Sequence, residues 1–60
     1  MKIYQVKCDD EIVAVYADYW VINDMWIDFM LCDEGNPDRI GSRFSIDHTT
    51  YFIEMENTGG

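Results

Sequence analysis

The sequence predicts a mainly β domain, a small antiparallel meander or small barrel of about five short strands. Three observations carry that expectation. Aromatic and β-branched residues are gathered into runs of strand length. Clusters of Asp, Asn, Gly, Pro and Thr separate the runs at 8–11, 23–24, 33–38 and 47–49. The last two runs alternate in the period of two that belongs to a half-buried strand.

Taken in order, IYQVK at 3–7 and IVAVYA at 12–17 flank the acidic CDDE and form a hairpin. YWVI at 19–22 then meets MWIDFMLC at 25–32 across Asn23 and Asp24, residue types that tolerate the positive φ of a tight hairpin turn. On a strand, Met25, Ile27, Phe29 and Leu31 share an inner face, and Trp26, Asp28, Met30 and Cys32 point the other way. RIGSRFSI at 39–46 sets Ile40, Phe44 and Ile46 against Arg39, Gly41, Arg43 and Ser45. TYFIEME at 50–56 sets Tyr51, Ile53 and Met55 against Phe52, Glu54 and Glu56. The chain therefore reads as one domain over 1–56 with a flexible tail, NTGG, at 57–60.

An α+β alternative places a helix over 18–32, because Ile22, Met25, Trp26, Phe29 and Met30 fall at amphipathic helical spacing with Asp18 available as N-cap. Three features oppose it. The interior from Tyr19 to Met30 has no Ala, Glu, Lys or Arg. Asp33 and Glu34 lie at the wrong end of a helix dipole. Val21, Ile27 and Leu31 make the reverse face apolar as well.

A chain of 60 residues hides only about 60% of the surface its unfolded form exposes. With 48% hydrophobic and 15% aromatic residues, it carries more apolar bulk than one small sheet covers, so a homodimer is expected. Twelve acids face four Lys and Arg, giving a net charge of -8. That balance argues against direct binding to nucleic acid, whose affinity comes from cationic side chains, and against an anionic membrane surface. A basic protein surface is the natural complement. Cys8 and Cys32 are too few for a disulfide framework. Neither a secretory leader in MKIYQVKCDDE nor a membrane-length apolar run is visible, so the expected setting is cytoplasmic with reduced thiols.

Catalytic chemistry finds little support. His48 lies beside Asp47, but Ser42 and Ser45 are in no nucleophile elbow, and a His in a polar loop is ordinarily just solvated. Cys8, Cys32 and His48 lack zinc-site spacing, and DEGNPD lacks both the calcium-loop spacing and its late Glu. The acid pairs Asp9 with Asp10 and Glu54 with Glu56 fall at a turn and a strand end, and the glycines fit no phosphate-binding loop. The expectation is a non-enzymatic protein without cofactor or metal.

The acidic surface is the positive signal. Alternate strand residues project ~7 Å apart, a spacing comparable to successive phosphates, so a carboxylate-bearing sheet can imitate a nucleic-acid backbone. The same charge also solubilises a small aromatic-rich chain. In size, acidity and lack of a catalytic motif the chain resembles the small inhibitors that bacteriophages direct against host defences, including anti-CRISPR proteins. The likeness is one of composition over the whole chain, and it implies an inhibitor of a basic, nucleic-acid-handling target. The expected contacts are Asp9, Asp10, Glu11, Asp24, Asp28, Glu54 and Glu56 as charges, with Trp26 and Met30 as the apolar anchor. The rival expectation is an assembly module that oligomerises through an aromatic face.

Overall fold

A computed structural model describes residues 1–55, which form two small antiparallel three-stranded sheets. The strands are β1 (Lys2–Cys8), β2 (Glu11–Ala17), β3 (Tyr19–Asn23), β4 (Trp26–Leu31), β5 (Arg39–Ser45) and β6 (Thr49–Met55), with a short 3-10 turn at Ile46–His48 before β6. One sheet has the order β2-β1-β6 and the other β3-β4-β5. The chain thus starts in the first sheet, builds the second as a meander, and returns to close the first.

Both crossings are fixed by named hydrogen bonds. At the outward crossing Asp18 is a single-residue corner between β2 and β3. Its N–H donates to Met30 O at 2.8 Å, and its Oδ2 accepts from Cys32 N–H at 2.7 Å. The corner is therefore clamped to the end of β4. On the return, Ile46 N–H donates to Met25 O at 2.9 Å, and Thr49 Oγ1 donates to Ser45 O at 2.7 Å.

The core lies between the sheets because each contributes one apolar face. From β1 and β2 come Tyr4, Val6, Val15 and Ala17; from β4 come Ile27 and Phe29. Alternation places them there, with Tyr4 opposite Val15 in the β1–β2 pair and Ile27 opposite Phe44 in the β4–β5 pair. Phe29 is the centre of the packing. Its ring lies 5.1 Å from Tyr4 and 5.7 Å from both Phe44 and Phe52, the last two edge-on. Such pairs add about 0.5–1.5 kcal/mol each beyond the burial itself. Trp20 extends the cluster by meeting Phe52 edge-on at 4.8 Å.

The helical alternative is excluded and two expectations are corrected. No helix forms over 18–32: the stretch is β3 and β4, since β-branched and aromatic side chains fit a pleated surface better than a helical one. The turn between them falls one residue later than expected. Asn23 remains in β3, opposite Trp26, and Asp24 takes the positive φ of 58°. Asp9, with φ of 52°, has the same role in the first hairpin. Finally, Ile40 and Phe44 do not share a face. The pairing jumps from Phe29–Ser42 to Met30–Ile40, leaving Gly41 as a bulge that reverses the side-chain parity of β5. Ile40 consequently faces outward and is exposed, whereas Phe44 packs on the core. Glycine suits the bulge because a Cβ there would sit 2.8 Å from Leu31 Cδ1. Glu56 and the expected flexible tail at 57–60 lie outside the described residues.

Candidate protein interface

Three chain connections meet at one end of the molecule. The β1–β2 turn is tied to the 3-10 turn by Asp9 N–H donating to His48 O at 3.0 Å, and the β3–β4 turn is tied to it by the Ile46 N–H bond to Met25 O. Each connection is acidic because tight turns select Asp. The fold therefore gathers Asp9, Asp10 and Glu11 from the first, Asp24 from the second and Asp47 from the third, all of them exposed. At this end Asp9 Oδ1 also lies within hydrogen-bond reach of His48 Nδ1, at 3.4 Å.

The sequence reading anticipated Asp9, Asp10, Glu11 and Asp24 as contacts but left out Asp47. Its position in the 47–49 turn cluster was the available signal. That this turn closes on the other two depends on long-range hydrogen bonds, which no local pattern reveals.

Trp26 begins β4 directly after the β3–β4 turn, pairs with Asn23 and Ser45 on either side, and is half-exposed. The Arg43 guanidinium lies over its ring, 5.5 Å from the centroid. Asp28 is the next outward residue of β4, and here the structure departs from expectation. Its side chain is only 2% exposed, and it accepts two bonds from Arg43, Nε to Oδ1 at 2.7 Å and Nη2 to Oδ2 at 3.0 Å. Arg43 directly faces Asp28 across the strands, which sets up this fork. Asp28 therefore presents no free charge. The Arg43 hydrogen bonds hold its carboxyl below the ordinary value of 3.8 against an opposing cost of desolvation, and Asp28 in turn raises Arg43. The pair's effect is to fix the guanidinium against Trp26.

The other expected contacts are dispersed. Met30 is half-buried further along β4, between Tyr19 and Ile40. Glu54 belongs to the other sheet, opposite Tyr4, with Oε1 3.5 Å from Lys2 Nζ. Neither joins the acidic end.

Three acids toward the opposite end, Asp18, Asp33 and Asp38, are engaged within the molecule. Asp33 pairs with Arg39 at 3.1 Å, Asp18 caps the β2–β3 corner, and Asp38 accepts a hydrogen bond from Tyr19 OH at 2.6 Å. That bond pushes the Tyr19 phenol up to about 12. Desolvation, with the carboxylates of Asp38 and Asp18 nearby, pushes the Cys32 thiol up as well. Cys8 and Cys32 are both free, Cys8 beside Thr49 near the acidic end and Cys32 beside Asp18 at the other.

Among the described residues no pocket opens, no group of three or more His, Cys, Asp or Glu is placed to hold a metal ion, and no helix is long and apolar enough to cross a membrane. Comparison with protein-family models, curated proteins and solved structures finds no match.

Proposed function

We propose that this chain is a small non-enzymatic binding protein that docks its acidic end onto a basic surface of a nucleic-acid-handling protein and thereby blocks that surface. The observation that supports this reading is the convergence of Asp9, Asp10, Glu11, Asp24 and Asp47 on one end, beside the half-exposed Trp26. The turns that carry these carboxylates are tied together by backbone hydrogen bonds, so little backbone freedom is lost when they meet cations. Their summed field speeds encounter with a positive partner. Trp26, braced by Arg43, supplies the desolvated aromatic contact on which interface energy usually concentrates. The compositional likeness to phage inhibitors of host defence supports placing the target among defence or other nucleic-acid-handling proteins, as an anti-CRISPR-like inhibitor would require.

The test is affinity capture from a bacterial lysate with low-salt and then high-salt washes. It compares the wild type with a variant carrying Asp9→Asn, Asp10→Asn, Glu11→Gln and Asp24→Asn. A basic nucleic-acid-binding protein retained by the wild type alone, released by salt and displaced by added DNA or RNA, is the expected result. Equal capture by both proteins, or capture indifferent to salt, would overturn the reading.

A further inference from the structure

The outward face of the β2-β1-β6 sheet is apolar where an antiparallel sheet facing water ordinarily carries polar residues. Its side chains form three cross-strand rows: Tyr16, Ile3 and Met55; Ala14, Gln5 and Ile53; Ile12, Lys7 and Tyr51. The central strand β1 alternates, sending Gln5 and Lys7 outward, but β2 and β6 do not. Ile12, Tyr16 and Ile53 are 56%, 60% and 51% exposed, respectively. These residues are not the core of the monomer.

We propose that this face is occupied by a second copy of the chain, giving a symmetric homodimer in which two such sheets stack. The first argument is charge. The chain carries twelve acids, yet every described one falls elsewhere: at the turns, at the Asp18 corner, on the other sheet, or, for Glu54, on the Tyr4 side of β6. Two copies of a strongly acidic chain repel at long range, and contact is tolerable only where no carboxylates are brought face to face. This face meets that condition. Lys7 stands in an end row, where its ammonium can extend to solvent while its stem stays in contact. A basic partner, by contrast, finds no anion here, which separates this face from the acidic end.

The second argument is area. The patch exposes on the order of 500 Å², the size of the largest apolar patches on monomers, which are often functional. Stacking two copies removes roughly 1,000 Å² in total, at the lower bound for a specific interface. Stacking also gives the first sheet a second apolar layer, which a chain this short cannot build alone.

Sedimentation equilibrium of the untagged full chain, at low and high salt, tests the assignment. The expected result is a monomer–dimer equilibrium that persists or tightens at high salt. Ile53→Lys should weaken it at least about tenfold, although it moves the net charge toward neutrality. Ile12→Lys, on a different strand, should act in the same direction, and Ile40→Lys, on the outward side of the other sheet, should leave the equilibrium unchanged. Near-UV circular dichroism verifies folding, and Ile53→Thr provides a β-branched variant should the lysine unfold the chain. A wild type that stays monomeric throughout, a dimer dissolved by salt, or one broken by Ile40→Lys and not by Ile53→Lys would overturn the proposal. So would a monomer that binds phosphatidylcholine vesicles through this face.

Discussion

Asp28 and Tyr19 each owe their chemistry chiefly to one cross-strand or cross-loop partner, and the pH dependence of stability distinguishes them. The folded state holds the Asp28 carboxyl below its ordinary 3.8 through Arg43. Its contribution to stability is therefore present above pH 3.8 and lost as pH falls through the folded value. Asp28→Asn should lower Tm by several degrees at neutral pH, and the difference from wild type should shrink in acid. Thermal melts from about pH 2 to 7 check this; an offset independent of pH would show that the carboxylate's charge is not what matters. Tyr19 behaves in the opposite sense. With its phenol raised from 10.0 to about 12 by the bond to Asp38, its contribution is intact below pH 10.0 and lost as pH rises through the folded value. Tyrosinate absorbance should show a late-titrating phenol that disappears in Tyr19→Phe and returns toward its ordinary value in Asp38→Asn.

The strand pair β4–β5 shows which features a sequence makes legible at the level of elements. Strand existence was readable because Val, Ile and aromatic runs are bounded by turn residues, and the inner face of β4 was readable in part: Ile27 and Phe29 alternate into the core, whereas Met25, expected on the same face, lies exposed in the turn. Which face Ile40 takes was not readable. A bulge changes parity without changing composition, and Gly41 alone signals it. The burial of Asp28 escaped detection for a related reason: its cover is Arg43, brought opposite by cross-strand register and not by proximity in the chain. The acidic turns were legible one at a time, but their convergence was not. The bulge itself is testable. Gly41→Val should cost about 1–3 kcal/mol by forcing Leu31 from its place, and Phe29→Ala about 3–5 kcal/mol by opening a cavity among Tyr4, Phe44 and Phe52. Urea unfolding followed by tryptophan fluorescence measures both. If Gly41→Val proves neutral, Leu31 can move aside and the close approach does not select glycine.

At the scale of the whole molecule, the acidic turns and the outward apolar face of the β2-β1-β6 sheet occupy different places, and that separation has a consequence for how the chain associates. The turns that carry Asp9, Asp10, Glu11, Asp24 and Asp47 lie at the ends of strands, whereas the outward rows of β2, β1 and β6 lie along the strands and hold no acid. Association through the turns depends on Coulomb attraction, which weakens as salt shortens the screening length to ~8 Å at physiological strength and less above it. Association through the apolar rows depends on burial, which salt leaves intact or strengthens. The two events should therefore be separable by mutation and by ionic strength. The fourfold acid-to-amide variant should lose the basic partner while keeping, or modestly tightening, its own dimer, because four charges per copy no longer repel across the assembly. Ile53→Lys should do the reverse, dissociating the dimer while its monomer still binds the partner. If the monomer's affinity matches that of the dimer, the acidic end acts alone. If it falls severalfold, the dimer's paired acidic ends engage the target together, because tethering the second contact raises its effective concentration. Titrating both variants against the captured partner at two salt concentrations, with sedimentation run alongside, resolves these outcomes. Loss of both associations in either variant would show that the two surfaces are one.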